Sequence, residues 1–236
     1  MHLKYKKMNK VWIASFDIGK KNFSFYIEEF QPTKLKELEK VPKNSRYNVD
    51  GTTSKAFGDV LRKVCKHGEK ILLVNADLTV GCDKKTYLDV ETFHNLTDLL
   101  EKYSEYWDKC CTFIIEKQMS FGKRHNTMAI KIGQHCWSYF AFRYGRFKNI
   151  IEFPAYHKTQ ILGAQKLKKK GRGGKIRYKA IDKPARKKWC IGKALDILAE
   201  RDDFCTMSQI SSSRKKDDLC DVICQLQAYK CLEFLT

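Results

Sequence analysis

Two apolar runs in this sequence stop on a carboxylate. Val11-Trp12-Ile13-Ala14-Ser15-Phe16 runs into Asp17 and then Ile18-Gly19, and Cys111-Thr112-Phe113-Ile114-Ile115 runs into Glu116. Burying an unpaired charge costs roughly several kcal/mol, so an acid at the end of a buried strand is expensive unless something uses it. A third acidic element is Lys215-Lys216-Asp217-Asp218-Leu219-Cys220-Asp221. On a helix, Asp218 and Asp221 project from one face a turn apart, while Asp217 points elsewhere and serves the helix start as a cap or dipole partner. Taken alone, this motif suits helix N-terminal electrostatics equally well. Four carboxylates converging from two strand ends and a helix repel one another unless cations intervene. Hard divalent ions with oxygen ligands resolve that, with Mg²⁺ the natural choice and Mn²⁺ a substitute. Two such ions about 3.5 to 4 Å apart activate a water and stabilise the leaving oxygen of a phosphodiester.

The charge balance suits such chemistry. Among 236 residues, 46 are Lys or Arg and 27 are Asp or Glu, a formal charge of +19. That predicts attraction to polyanions through counterion release, nucleic acid first and an anionic membrane second; a solvated lysine coat is the plain alternative. More than half of the excess lies in residues 166–188, which hold 12 Lys or Arg and one acid, Asp182. With Gly171, Gly173 and Gly174 inside it, the segment reads as a flexible basic loop, and Lys168, Lys169, Lys170, Arg172 and Lys188 are its candidate DNA contacts. A 43% apolar composition is ample for a core. No stretch approaches the roughly 18 to 20 apolar residues of a membrane span, and Met1 to Lys7 lack a signal-peptide run, so a soluble intracellular protein without membrane partners is expected. The ten cysteines contain no C-x-x-C pair. Cys220, Cys224 and Cys231 recur at helical spacing, as on a buried helix face in a reducing compartment.

The elements that must position the acids follow from hydrophobic period. Strands are expected at 11–17, 22–27, 70–77, 111–116 and 149–153, and amphipathic helices at 89–107, 127–144, 189–200 and 217–234. Residues 31–60 are polar and turn-rich and receive no element. The order predicts an α/β fold: a mixed five-stranded sheet, three antiparallel-capable strands followed by parallel ones, with helices on both faces.

Asp17-Ile18-Gly19-Lys20-Lys21-Asn22, Ile115-Glu116 and Lys215-Lys216-Asp217-Asp218 with Asp221 resemble the acidic motifs of RuvC-type Holliday junction resolvases of the RNase H-like superfamily. Ala129-Ile130-Lys131-Ile132-Gly133-Gln134 is similar to the helix after the second acid in bacterial RuvC. Lys158-Thr159-Gln160-Ile161-Leu162-Gly163 is similar to the stretch carrying a catalytic lysine. The likeness is closer to resolvases of poxviruses and other large DNA viruses, and to fungal mitochondrial ones, and covers residues 11–30 and 110–235.

The resemblance implies a single RNase H-like nuclease domain over 1–236, with an insertion at 31–90. It implies an Mg²⁺-dependent homodimer that nicks four-way and other branched DNA symmetrically, in recombination or replication-intermediate processing; two equivalent cuts call for two equivalent sites. Asp17, Glu116, Asp218 and Asp221 would hold two metal ions. Lys158 would approach the scissile phosphate, or else is one solvated lysine among many, with Lys188 as competitor. Met119 and Phe121 lie where the family places an aromatic inserted at the junction, although Phe121 equally suits a plug at the core edge. His125, His135 and His157 lack zinc spacing, and His157 stands out beside Lys158. A viral member would work in the infected cell's cytoplasm, with a mitochondrial location less supported. Two other readings stay open: an RNase H-like nuclease acting on RNA/DNA hybrid or another branched substrate, and a non-catalytic nucleic-acid-binding protein whose acids only cap elements.

Overall fold

β1 (Val11–Asp17) is buried along nearly its whole length, which makes it a central strand. The turn after Asp17 returns the chain as β2 (Phe23–Phe30), antiparallel to β1 with Phe16 opposite Phe25. β3 (Glu69–Ala76) pairs antiparallel with β2 and forms one edge. On the other side of β1 lie β4 (Cys110–Lys117) and β5 (Asn149–Pro154), both parallel to it, giving the order β3-β2-β1-β4-β5. This is the mixed five-stranded sheet that the strand pattern predicts. The structure, a computed structural model, describes residues 9–83, 85–118, 126–170 and 175–235.

Helices fill the connections. α1 (Pro32–Lys36) and α2 (Lys55–Lys66) precede β3, α3 (Val90–Lys102) and α4 (Ser104–Lys109) precede β4, and α5 (Thr127–Tyr144) precedes β5. After β5 come α6 (Tyr156–Ile161), a separate antiparallel hairpin of β6 (Leu167–Lys170) and β7 (Ile176–Lys179), then α7 (Lys183–Ala199), α8 (Phe204–Ser212) and α9 (Lys216–Phe234).

Alternate strand residues feed two cores, one per sheet face. Ile13, Tyr26 and Ile114 pack with residues of α2, α7 and α9. Ala14, Phe16, Phe25 and Phe113 pack with residues of α3, α4 and α5. Trp107 sits in the second core with ring centroids 5.6 Å from Phe16 and 5.1 Å from Phe25. Helix α9 is buried on almost all sides from Leu219 to Cys231, with Cys220, Cys224 and Cys231 inside as their spacing predicts. Gln225 pins it to the sheet by donating through Nε2 to Ser15 Oγ at 3.0 Å, the Phe16 carbonyl at 3.1 Å and the Ile114 carbonyl at 3.2 Å. Among the described residues no disulfide forms, and no helix is long and apolar enough to cross a membrane.

The structure departs from the sequence reading in several places, with α1, α6 and α8 lying in stretches that receive no element. The helix expected over 89–107 breaks at Tyr103, because α4 must turn to bury Trp107, whose indole N–H donates to the Leu100 carbonyl at 2.6 Å. The unassigned stretch before residue 60 carries the start of α2, capped by the Ser54 hydroxyl and burying Phe57, Val60, Leu61, Val64 and Cys65. Residues 31–90 hold the core helix α2 and the edge strand β3. Within 166–188, read as a flexible basic loop, Leu167–Lys170 and Ile176–Lys179 pair as antiparallel strands, and the first turns of α7 follow. That helix starts at Lys183 rather than Trp189, because the Asp182 carboxylate caps the Ala185 N–H and Pro184 suits a first turn.

Candidate active site

Parallel pairing puts the ends of β1 and β4 side by side: Phe16 is in register with Ile115, so Asp17 and Glu116 emerge as neighbours. α9 crosses the same sheet end with Asp218 and Asp221 one turn apart, while β5 leads through Ala155 into α6 and Lys158. Asp17, Glu116, Asp218 and Asp221 all line one cleft of about 380 Å³. Asn22, Gln118 and Asn126 add neutral polar groups to its wall.

The acids are not equivalent. Burial, then the neighbouring Glu116, push the Asp17 carboxyl above its ordinary range, against the pull of the Lys158 charge. Burial alone would raise Glu116 too, but the Lys158 ammonium and hydrogen bonds from Asp17, Lys158 and Gln118 hold it below its usual value. Burial and repulsion from Asp217 raise Asp218 to about 6. Asp217 is not part of the cleft lining and pairs with Lys187, rather than capping the start of α9, which has no side-chain cap.

Lys158 is buried, not solvated. Its Nζ lies 2.8 Å from Glu116 Oε1 and 3.0 Å from Asp221 Oδ2. Burial works against its charge, yet Glu116, Asp221 and Asp17 together hold it protonated, above the normal lysine range. Gln118 Nε2 donates to the second oxygen of Glu116 at 3.2 Å, so both sides of that carboxylate are oriented.

The donor set fits a hard divalent cation: four carboxylates reach one cleft, and a buried ammonium already stands between two of them as a stand-in cation. Among the described residues no three acid, histidine or cysteine side chains are already gathered around an ion-sized point.

The cleft also carries three cations that the sequence reading missed. Lys183, Arg186 and Lys187 occupy one side of the first turns of α7 and line the cleft. Their signal is the Asp182-Lys183-Pro184 helix start, which sets their phase. Lys188, the expected competitor of Lys158, is exposed and does not line the cleft. Lys168, Lys169 and Lys170 are exposed on β6 and do not line the cleft. Met119, Phe121, Arg172 and His125 lie outside the described residues. His135 bonds Thr97 through Nε2 at 2.9 Å. His157 packs between the rings of Phe153 and Tyr156, where burial lowers its pKa, and it does not line the cleft.

No family model matches the chain. Uncharacterized protein 170L of Invertebrate iridescent virus 6 is 38% identical over 231 residues, covering 94% of this chain and 89% of its own length. Uncharacterized protein 97L of Invertebrate iridescent virus 3 is 30% identical over 226 residues, covering 92% and 98%. Among solved structures, the fowlpox virus resolvase in complex with substrate Holliday junction DNA superimposes with a TM-score of 0.50 at 15% identity, over 93% of this chain and 97% of that one. At that identity the likeness speaks for fold: the RNase H-like sheet expected from the acidic motifs.

Proposed function

This chain belongs to the family of the iridescent virus proteins 170L and 97L, and from that premise we propose that it is a metal-dependent endonuclease that resolves four-way DNA junctions by paired, symmetrical nicks. The observation that carries this reading is the convergence of Asp17, Glu116, Asp218 and Asp221 on one cleft that Lys183, Arg186 and Lys187 also line. Acids without a cationic wall would repel a polyanion, and a cationic wall without acids would bind DNA and leave it intact. The fowlpox resolvase, solved with its substrate junction, supports the choice of branched DNA within this fold.

In this reading the four carboxylates hold Mg²⁺, or Mn²⁺ in its place, and the bound ions would supply an activated water and stabilise the departing oxygen. The chain's own residues do the rest. Lys183 and Arg186 hold backbone phosphate in the cleft, and Gln118 keeps Glu116 from rotating. The β6–β7 hairpin, with Lys168, Lys169 and Lys170, holds DNA backbone beyond the cleft. Met119, Phe121, Arg172 and Lys188 remain proposed DNA contacts on the strength of the sequence resemblance. A four-way junction has two equivalent strands to cut, so the working unit is a homodimer. Trp137 and Phe142 leave apolar rings exposed on α5 that a second copy would cover. The setting we propose is recombination or replication-intermediate processing in the cytoplasm of an infected cell.

The test presents synthetic four-way junction, linear duplex and RNA/DNA hybrid to the protein with Mg²⁺ or EDTA, beside Asp218→Asn. Cleavage confined to the junction, dependent on metal and reduced at least about a hundredfold by the substitution, is expected. Hybrid cleavage without junction cleavage would move the assignment to an RNase H-type enzyme. Tight binding with no cutting in Mg²⁺, or in Mn²⁺ substituted for it, would make the protein a non-catalytic binder.

A further inference from the structure

The acids of the cleft already hold one cation, and it belongs to the chain. Lys158 places its ammonium 2.8 Å from Glu116 Oε1 and 3.0 Å from Asp221 Oδ2, with its side chain only 3% exposed. It reaches those oxygens from α6, behind the cleft, and is absent from the cleft wall. A lysine whose sole task was to touch a substrate phosphate would present its ammonium to the cleft. This one has directed its donors at two acids from two different elements, the end of β4 and the first turns of α9.

We propose that Lys158 is a positioning residue which holds Glu116 and Asp221 together while no ion is bound, and that a divalent ion takes those carboxylates by displacing it. The proposal rests on the reading of the four acids as a metal site. Its logic is charge and distance. An ion coordinating Glu116 and Asp221 at about 2.0 to 2.1 Å brings a double positive charge against an ammonium packed on the same oxygens. Like charges at contact distance in a water-poor setting exclude each other, so the ammonium withdraws. In the metal-free protein the same ammonium offsets carboxylate repulsion that would otherwise drive the end of β4 and α9 apart.

Metal affinity measured directly, rather than cleavage, tests this. Mn²⁺ binding to the full chain is followed by electron paramagnetic resonance for wild type, Lys158→Met, Lys158→Arg and Asp218→Asn, with thermal midpoints taken with and without the ion. Lys158→Met is expected to bind Mn²⁺ about tenfold more tightly or better. It should also melt earlier than wild type without metal and gain more from it, since a ligand that binds the folded state stabilises in proportion to its affinity. Lys158→Arg keeps a cation on both carboxylates and should bind Mn²⁺ no better than wild type; if the Met variant does not fold, tighter binding by the Arg variant overturns the proposal and equal or weaker binding supports it. Wild-type binding that Lys158→Met leaves unchanged or weakens overturns the competition while the metal site stands. No Mn²⁺ on wild type or either Lys158 variant overturns both readings, and loss in Asp218→Asn alone attributes the bound ion to these acids.

Discussion

The position of Asp17 is set by the turn that follows it. A Cβ added at Gly19 would lie 2.6 Å from the Asn22 carbonyl oxygen, a clash with backbone that cannot rotate aside. Asn22 shares the cleft wall with Asp17, and the same turn is tied down by the Leu78 N–H donating to the Lys20 carbonyl at 2.9 Å. Gly19→Ala should therefore leave the fold largely intact but lower the single-turnover cleavage rate by about a hundredfold, the usual cost of small misplacement in a site. A rate within twofold of wild type would show that the turn does not govern the acid. Asp17 and Glu116 were legible in the sequence because a carboxylate ending an apolar strand is costly and demands a use, whereas Asp218 and Asp221 stood out only through their helical spacing and the resemblance. Lys183, Arg186 and Lys187 were not, because each sits in a run of similar cations and only the helix start at Asp182 gives them a common side. The burial of Lys158 between Glu116 and Asp221 had no local sequence signal at all, since it depends on β4, α6 and α9 meeting.

At the scale of elements, α9 is joined to the sheet by charge as well as packing. Glu28 on β2 is wholly buried and accepts from Arg201 at 2.8 Å, Lys230 at 2.6 Å and Gln227 at 2.6 Å. Burial alone would raise its pKa, but Arg201 and Lys230 outweigh that and hold it at about 2. A carboxyl depressed in the folded state stabilises the protein above its unfolded value of 4.5, and that contribution fades as pH falls toward about 2. Glu28→Gln should cost about 3 to 5 kcal/mol at neutral pH, since it strands two buried cations. Urea denaturation between those pH limits should show a steep loss of stability in wild type and a flatter one in the variant; parallel curves would contradict the assignment.

The β6–β7 hairpin is the element least legible in advance. All eight of its strand residues are exposed, five are cationic, and Lys169 lies directly opposite Arg177. Cross-strand like charges destabilise a ribbon that is already marginal alone, so the sequence reads as loop. Replacing Lys168, Lys169 and Lys170 with Gln should weaken junction binding and flatten its salt dependence by roughly 0.9 for each phosphate that is no longer neutralised. An unchanged slope would take the hairpin off the DNA. By contrast, α2 was fully written in the sequence, as Ser54 followed by apolar residues at 57, 60, 61, 64 and 65, and only the polar stretch before it obscured the period.

Over the whole molecule, the +19 charge is not a uniform coat. Cations gather on the hairpin and on the first turns of α7, and the negative charge that matters is gathered where β1, β4 and α9 meet. The alternation of antiparallel and then parallel strands made this sheet predictable, and the parallel half is what brings Asp17 and Glu116 to the same end. A molecule built this way should make a metal-dependent cut twice, symmetrically, on one junction. The most direct measurement uses a supercoiled plasmid that extrudes a cruciform, incubated with wild-type protein and Mg²⁺ or, in parallel, Mn²⁺, and resolved by gel. Paired nicking within one binding event converts the circle to a linear product with the two breaks opposite each other across the junction, and this is the predicted result. Nicked circles accumulating without linear product, or intact plasmid in both Mg²⁺ and Mn²⁺ despite binding, would contradict it.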